Sequence, residues 1–312
     1  MPEFYLSIGS IIIDDIVMPD GRKKIGILGG GLTHAAMGMR VWTDQVGLIS
    51  SVGGDFDRDQ IALLKTYFDT SGICINKEVP TPRAWQVFDE DGTRHETFQT
   101  DFSQMAACIP KHDDLSDNFN GFSGIHLQCP PHEVALWVRT LRTRGCCDAT
   151  GQCQVILWEP WDEFCIPENK ALFKQNSMQV DIVSPNLREA RILTGLNEPL
   201  EIMSELRDYG ARVVALRMAE AGSLVLDQHG VITAIPAYPI NKIIDVTGAG
   251  NAYCGGFVVG YARTGNVEKA GWYGGVSASL TLHQFGALYP LDGLDQEANS
   301  RLNWYRKNSI LS

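Results

Sequence analysis

The sequence has too little positive charge for a protein that binds a polyanion. Its 26 lysine and arginine residues are outnumbered by 37 aspartate and glutamate residues, which gives a formal net charge of −11. An acidic surface repels nucleic acid and anionic lipid. We therefore expect neither nucleic acid nor a membrane as a partner.

The sequence predicts neither an export signal nor a membrane span. Residues 1–9 contain Glu3 and no basic segment followed by an apolar one,. The longest stretch without Asp, Glu, Lys or Arg, 270–291, contains glycine, serine, histidine and proline residues that a membrane span rarely combines,. It predicts a buried helix, and we expect a cytoplasmic protein.

Cysteine is present but is not arranged as a metal site. Cys146, Cys147 and Cys153 cluster, yet neither their spacing nor a nearby pair of histidines fits zinc,. Disulfide frameworks belong to small secreted domains. We therefore interpret the 8 cysteines as reduced thiols.

Glycine is abundant and unevenly distributed. Of the 31 glycines, seven lie within 29–54 and nine within 248–275. Glycine lets a backbone approach a ligand closely and adopt conformations that other residues avoid. With 44% hydrophobic residues the chain has the composition of a folded protein, so the two clusters indicate binding sites built from backbone.

The hydrophobic pattern alternates between strands and helices, which predicts an α/β fold. Strands are predicted over 4–8, 46–51, 124–127, 155–158, 180–183 and 213–216, and helices over 34–42, 57–67 and 187–193,. This order is typical of a three-layer, doubly wound, mostly parallel sheet. No linker or repeat interrupts it, so we expect one domain over 1–312.

Two segments break the alternation and predict a small accessory sheet. Residues 11–28 contain the turn Pro19-Asp20-Gly21, and in 83–99 Asp91-Gly92 separates two alternating runs as a hairpin turn does,. We interpret them as a small antiparallel β lid over a cleft. A lid with an uncovered face often pairs with a second copy, so a homodimer through the lid is a further hypothesis.

The segment 245–257 predicts a site for an anion. A strand is predicted over 242–245, two glycines follow, and a helix then begins. Backbone N–H groups and the positive helix end converge there. In phosphoryl transfer such a cradle stabilises the transferred group, and the next side chain, Asn251, is placed to meet the attacking hydroxyl.

This segment, Asp-Val-Thr-Gly-Ala-Gly-Asn, resembles the D-T-x-G-A-G-D signature of the ribokinase family, also called the PfkB carbohydrate kinase family. Residues 29–36 resemble its G-G-x-x-x-N-x-A motif, 47–55 the strand and turn that follow, and 184–190 its N-x-x-E segment. The resemblance extends over about 4–288. It implies a ribokinase-like fold, ATP and Mg²⁺ as cofactors, and a small polyhydroxy substrate such as a sugar or nucleoside.

The resemblance also implies roles for single residues. The catalytic cradle would comprise Gly248, Ala249, Gly250 and Asn251. Substrate would contact Asp14, Gly29, Gly30, His34 and Asp245. Nucleotide would contact Asn186, Glu189, Arg217, Ala219, Gly222 and Ser279, with Glu189 holding Mg²⁺ through water.

Plainer interpretations remain open for several of these residues. Asp15 is an alternative to Asp14, and Asn186 with Glu189 also fits a helix capping box,. Arg217 could be a solvated arginine at a strand end. His283 lies on the helix that the resemblance places beside the adenine, and we expect it to be buried and hydrogen-bonded.

The chain departs from the family pattern at four places. Asn251 replaces the aspartate that acts as general base, and His34 replaces an asparagine. Trp158-Glu159-Pro160 stands where Asp-Pro-Asn is expected, and Arg217 stands where threonine is expected. Fungal members of the maintenance-of-killer group are similar in having Asn at the base position.

Three functions follow from these departures. The first is an ATP-dependent phosphotransferase, slow because an amide cannot accept a proton, although it can still orient a hydroxyl. The second is a pseudokinase that binds nucleotide or metabolite without turnover. The third is a cleft reused for chemistry without ATP, with His34 or Glu159 as acid or base.

Overall fold

The computed structural model describes residues 3–116, 119, 121–144 and 154–308. The cluster of Cys146, Cys147 and Cys153 lies outside the described residues. The strands are β1 Tyr5–Ile8, β2 Ile12–Val17, β3 Lys23–Gly29, β4 Val46–Gly53, β5 Asp69–Asn76, β6 Arg83–Phe88, β7 Arg94–Phe98, β8 Gly124–Leu127, β9 Val155–Trp158, β10 Ile182–Val183, β11 Val213–Arg217, β12 Ser223–Leu226 and β13 Ile232–Ile235. The α-helices are α1 Gly31–Arg40, α2 Arg58–Lys65, α3 Phe102–Ala106, α4 Val134–Arg144, α5 Lys170–Ser177, α6 Leu187–Thr194, α7 Pro199–Asp208, α8 Ala249–Thr264, α9 Val267–Thr281 and α10 Leu294–Asn308.

Within the described ranges, nine strands form the main sheet. Their order is β13-β12-β11-β10-β9-β8-β1-β4-β5. All neighbouring pairs from β11 to β5 are parallel, and only β12 and β13 at one edge are antiparallel. The predicted mostly parallel sheet is confirmed.

Helices cover both faces of this sheet. Alternate side chains of β9 point to opposite faces: Leu157 lies in one apolar core, and Trp158 lies in the other,. The first core includes buried residues of α1, α8, α9 and α10, and the second includes buried residues of α4, α5, α6 and α7. This is the predicted three-layer architecture.

Two glycines bring α1 and α8 into direct backbone contact. A Cβ added at Gly38 would overlap the carbonyl of Ala252, and one added at Gly255 would overlap the carbonyl of Ala35. Because neither position tolerates a side chain, the two helices pack closely. The C-terminal half of α1 is thereby held against the first two turns of α8.

The lid is a separate four-stranded sheet in the order β3-β2-β6-β7. Its two hairpins, β2–β3 and β6–β7, are antiparallel, but β2 and β6 pair in parallel. The lid predicted as antiparallel therefore consists of two antiparallel hairpins with a parallel junction. Chain direction explains this, since each hairpin begins at the same end of the lid.

Some predicted boundaries were wrong. Residues 242–245 form no strand, because the N–H of Ile244 donates to the carbonyl of Leu282 rather than to a sheet neighbour. The helix predicted over 270–291 ends at Thr281, and α1 begins at Gly31 because Gly30 caps it with φ +83°. No helix among the described residues is long and apolar enough to cross a membrane.

Candidate active site

The candidate site lies along the carboxyl ends of the parallel strands, where ligands bind in open α/β sheets. Gln128 follows β8, Glu159 follows β9, and Arg217 ends β11. These residues line a cleft of about 1090 Å³ that extends from the lid to α9.

Most of the predicted site residues line this one cleft. They are Asp14, Gly30, His34, Asn186, Glu189, Arg217, Ala219, Gly222, Gly248, Ala249, Gly250, Asn251 and Ser279. Gly29 and Asp245 do not line it. Gly29 supports Asp14 from behind, since a Cβ there would overlap the Asp14 carboxylate.

The helix predicted after the two glycines of the cradle is present, although no strand leads into it. Gly248 caps α8 with φ +74°, a conformation that favours glycine, and the helix begins at Ala249,. The first N–H groups of a helix have no intrahelical partner. The N–H of Ala249 donates to the carbonyl of Val246 at 3.3 Å, so the N–H groups of Gly250 and Asn251 are the ones available to an anion in the cleft.

His34 forms one wall of the cradle. It is 2% exposed, and a Cβ at Gly248 would overlap its ring. Burial lowers the pKa of His34 to about 3, so the ring is neutral at pH 7. Neither ring nitrogen has a hydrogen-bond partner among the described residues, and both are shielded from solvent.

Asp14 lies at the lid end of the cleft. Its Oδ1 accepts from Nε2 of Gln86 at 3.2 Å, and the same nitrogen donates to Oε1 of Glu96 at 2.7 Å. Burial raises the pKa of Asp14 to about 7. The side chain is 2% exposed, so Asp14 is a buried carboxyl group rather than a surface one.

Asp15 and Asp245 have different surroundings. Asp15 pairs with Arg83 at 3.1 Å and accepts the N–H of Gly26, so its carboxylate ties the lid hairpins together. Asp245 accepts the N–H of Thr247, and its buried Oδ2 has no partner among the described residues. Burial raises the pKa of Asp245.

A buried ionic cluster occupies the centre of the cleft. Nη1 of Arg217 lies 2.7 Å from Oε1 of Glu159, and its Nη2 lies 3.6 Å from Oε2 of Glu189. Nε2 of His126 lies 2.7 Å from Oε2 of Glu159. The interpretation of Arg217 as a solvated arginine is wrong, because two carboxylates and the carbonyl of Ser184 hold it inside the protein.

Glu159 is held as a carboxylate by its neighbours. Burial alone raises its pKa, but the Arg217 guanidinium, His126 and the amide of Asn251 together lower it to about 2. Arg217 in turn lies against the cradle, where a Cβ on Gly250 would overlap Nη1. Sequence reasoning treated Glu159 only as an acid or base and missed its contact with Asn251.

Several residues predicted to contact nucleotide make hydrogen bonds within the protein instead. Asn186 accepts the N–H of Glu189, and Glu189 accepts from the N–H of Asn186 at 2.7 Å, which is a complete capping box. Burial raises the pKa of Glu189 to about 7. Ser279 accepts from Arg301 at 2.8 Å.

His283 was placed wrongly. It lies beyond the end of α9 and is exposed rather than buried. The helix ends two residues earlier, so its side chain is not in the helix packed beside the cleft.

An apolar wall near the lid was not predicted as part of the site. Phe98 ends β7, Phe102 and Met105 belong to α3, and Trp161 follows the Glu159 loop; all four line the cleft. Phe102 is 75% exposed. An exposed apolar surface inside a cleft is typical of ligand recognition. The only sequence signal was the Phe-Ser-Gln-Met run after the lid.

Comparison with known proteins settles the family. The model of the pfkB family of carbohydrate kinases matches residues 6–293. The chain belongs to this family. The predicted family membership and fold class are thus confirmed.

Two relatives and one solved structure illustrate what the chain is similar to. A cytidine kinase of Thermococcus kodakarensis is 28% identical over 284 residues, covering 89% of this chain and 96% of the relative. Protein MAK32 of Saccharomyces cerevisiae is 29% identical over 157 residues, covering 44% and 43%. A fructokinase of Vibrio cholerae solved with fructose, ADP and calcium has a TM-score of 0.74 at 17% identity, covering 97% of this chain and 98% of that one.

Proposed function

We propose that the protein transfers a phosphoryl group from ATP to a hydroxyl of a nucleoside. The observation that carries this proposal is that one cleft joins a buried carboxylate, Asp14, to the backbone cradle of α8. The first can hold a hydroxyl-bearing acceptor, and the second an anionic phosphoryl group.

The apolar wall supports a nucleoside over a free sugar. Phe98, Phe102 and Trp161 offer aromatic surface at the lid end of the cleft, and aromatic rings pack favourably against a planar base. Asp14 and Gln86 supply acceptors and donors for ribose hydroxyls,. A relative named cytidine kinase agrees with this choice.

The residues around the cradle fit a nucleotide with Mg²⁺ held at a distance. Both Glu189 oxygens already accept from Asn186, and the described residues contain no cluster of three His, Cys, Asp or Glu side chains that could hold a metal. Mg²⁺ keeps several waters and binds largely to substrate phosphates. When bound, it neutralises negative charge on the phosphates during transfer.

In this mechanism the protein acts mainly by positioning and charge. The α8 N–H groups and Arg217 face the transferred group, and neutral His34 offers one donor and one acceptor beside them. Phosphoryl transfer depends mostly on such positioning and electrostatic stabilisation. Asn251 orients the attacking hydroxyl without accepting its proton.

A second candidate, a pseudokinase, is favoured by Asn251 itself, since an amide gives no general-base help, which is typically worth about 10²- to 10⁴-fold. Two assays separate the candidates: calorimetry with ATP, and product formation with a panel of nucleosides and sugars. Nucleoside-dependent ADP release supports the kinase. Tight ATP binding with no release above background for any acceptor supports the pseudokinase.

A further inference from the structure

Three of the four departures from the family pattern lie together at the cradle. Glu159, Arg217 and Asn251 come from two strand ends and a helix, yet Glu159 touches both of the others. A change at one of these positions therefore alters the charge balance at the other two. They form one unit at the cradle.

Glu159 is the carboxylate of this unit. Its Oε1 faces Arg217 at 2.7 Å, and its Oε2 faces His126 at 2.7 Å. Arg217 also contacts Gly250, the residue before Asn251, and the Asn251 amide is one of the groups that lower the pKa of Glu159. The side chain is 3% exposed, so its position is fixed by these contacts. The only donor of an Asn side chain is its NH₂ group, which leaves the Asn251 oxygen as the atom that can face a ligand.

We propose that Glu159 has taken over the carboxylate charge usually found at position 251 and that it acts through Asn251. By accepting the Asn251 NH₂ group, it turns the Asn251 oxygen toward the cleft, where that oxygen accepts the hydrogen bond of the attacking hydroxyl. Glu159 is thus a positioning residue. This proposal rests on the phosphotransferase function proposed above.

The transfer step balances without a base at position 251. The hydroxyl oxygen forms a bond to the γ-phosphorus, and the bond from that phosphorus to the bridging oxygen of ADP breaks. The hydroxyl proton passes to an oxygen of the transferred phosphoryl group, because the Asn251 oxygen holds the hydroxyl but does not take its proton. ADP leaves with the bridging oxygen.

The unit predicts that restoring the usual aspartate alone does not restore fast catalysis. In Asn251→Asp the new carboxylate would lie against Glu159, and two carboxylates in contact cannot both be ionised readily. Only when Glu159 is made neutral can the introduced aspartate carry the charge. In that double variant position 251 carries the carboxylate and position 159 carries the amide.

The test is a double-mutant cycle on the full chain with wild type, Glu159→Gln, Asn251→Asp and the double variant. Transfer from ATP with Mg²⁺ to cytidine is followed as kcat and KM across pH 5–9, and unfolding midpoints show which variants are folded. We expect Glu159→Gln to lower kcat about 10- to 100-fold in the wild-type background with KM nearly unchanged. In the Asn251→Asp background the same substitution should raise kcat at least 10-fold.

The pH profile gives a second readout. Asn251→Asp alone should show a rate that rises with a pKa well above that of an ordinary carboxyl group, and the double variant should lose that dependence. A purely structural Glu159 would lower kcat by the same factor in both backgrounds, and that result overturns the proposal while leaving the kinase function intact. Absence of transfer by all four folded proteins overturns the kinase function and the positioning role with it.

Discussion

Arg217 and Glu159 form a buried ion pair in the centre of the cleft, with Nη1 2.7 Å from Oε1 and side chains 11% and 3% exposed. The pair lines the same cleft as Asp14 of the lid and the capping box of Asn186 and Glu189. Arg217 also touches Gly250 of the cradle. One charged group therefore contacts both the ionic cluster and the cradle.

Removing Arg217 should destabilise the fold. Arg217→Gln leaves Glu159 buried without its cation, and breaking a buried pair on one side typically costs about 3–5 kcal/mol. Urea denaturation measures the change in the free energy of unfolding. Arg188→Gln is the matched control, because Arg188 pairs with Asp162 at the surface, where the expected loss is below about 1 kcal/mol. Equal losses would contradict the buried network.

Gly248→Ala should abolish the cradle through two effects. The residue needs φ +74°, and its new Cβ would overlap the ring of His34. Gly195→Ala is the control, since Gly195 also has positive φ (+77°) but no atom near its Cβ position. This variant should lose only about 1 kcal/mol of the free energy of unfolding. Gly248→Ala should lose more free energy of unfolding than Gly195→Ala does. Adding His34→Ala to Gly248→Ala should restore part of that difference. No recovery would rule out the contact as the cause.

The Asp14 carboxyl should make stability pH-dependent. Folding raises its pKa from 3.8 to about 7, so the native state binds the proton more tightly. Its contribution is fully present below pH 4 and is lost as the pH rises through 7, up to about 4 kcal/mol. Unfolding of wild type and Asp14→Asn is compared at pH 4 and pH 8. From pH 4 to pH 8 the free energy of unfolding of wild type should fall relative to that of Asp14→Asn. A constant difference would show that Asp14 titrates normally.

The apolar wall should affect acceptor binding. Phe102→Ala removes aromatic surface at the lid end of the cleft, and we expect KM for cytidine to rise about 10-fold with kcat changed less than 3-fold, because the contact is the same in ground and transition states. Leu200→Ala, on α7 and 61% exposed, is the control and should change neither. A fall in kcat without a rise in KM would place Phe102 outside the acceptor site.

The order of strands and helices was predictable because buried parallel strands and amphipathic helices have different periods. The cradle was predictable for a local reason: Gly248 and Gly250 stand directly before an apolar helix. The strand predicted over 242–245 was wrong, because the apolar residues of this segment pack without a sheet partner. Whether His283 is buried depends on where α9 ends, which side-chain type does not reveal.

The ionic cluster could not be derived from sequence because its members are far apart in the chain. His126, Glu159, Arg217 and Asn251 meet only once three parallel strands and α8 are assembled. Glu159, Arg217 and Asn251 were visible as departures from the family pattern, whereas His126 was not singled out from the sequence. Their mutual contacts, which decide that Arg217 is buried and that Glu159 is ionised, arise from tertiary packing.

The central claim is that this cleft transfers phosphate from ATP to a nucleoside despite Asn251. The most direct measurement incubates the full chain with γ-labelled ATP, Mg²⁺ and cytidine, and identifies the product by mass spectrometry beside the Asp14→Asn variant. The account predicts a labelled cytidine monophosphate made by wild type and at least 10-fold less by the variant. Unlabelled cytidine after many hours with wild type, under conditions in which the protein binds both ligands, would contradict it.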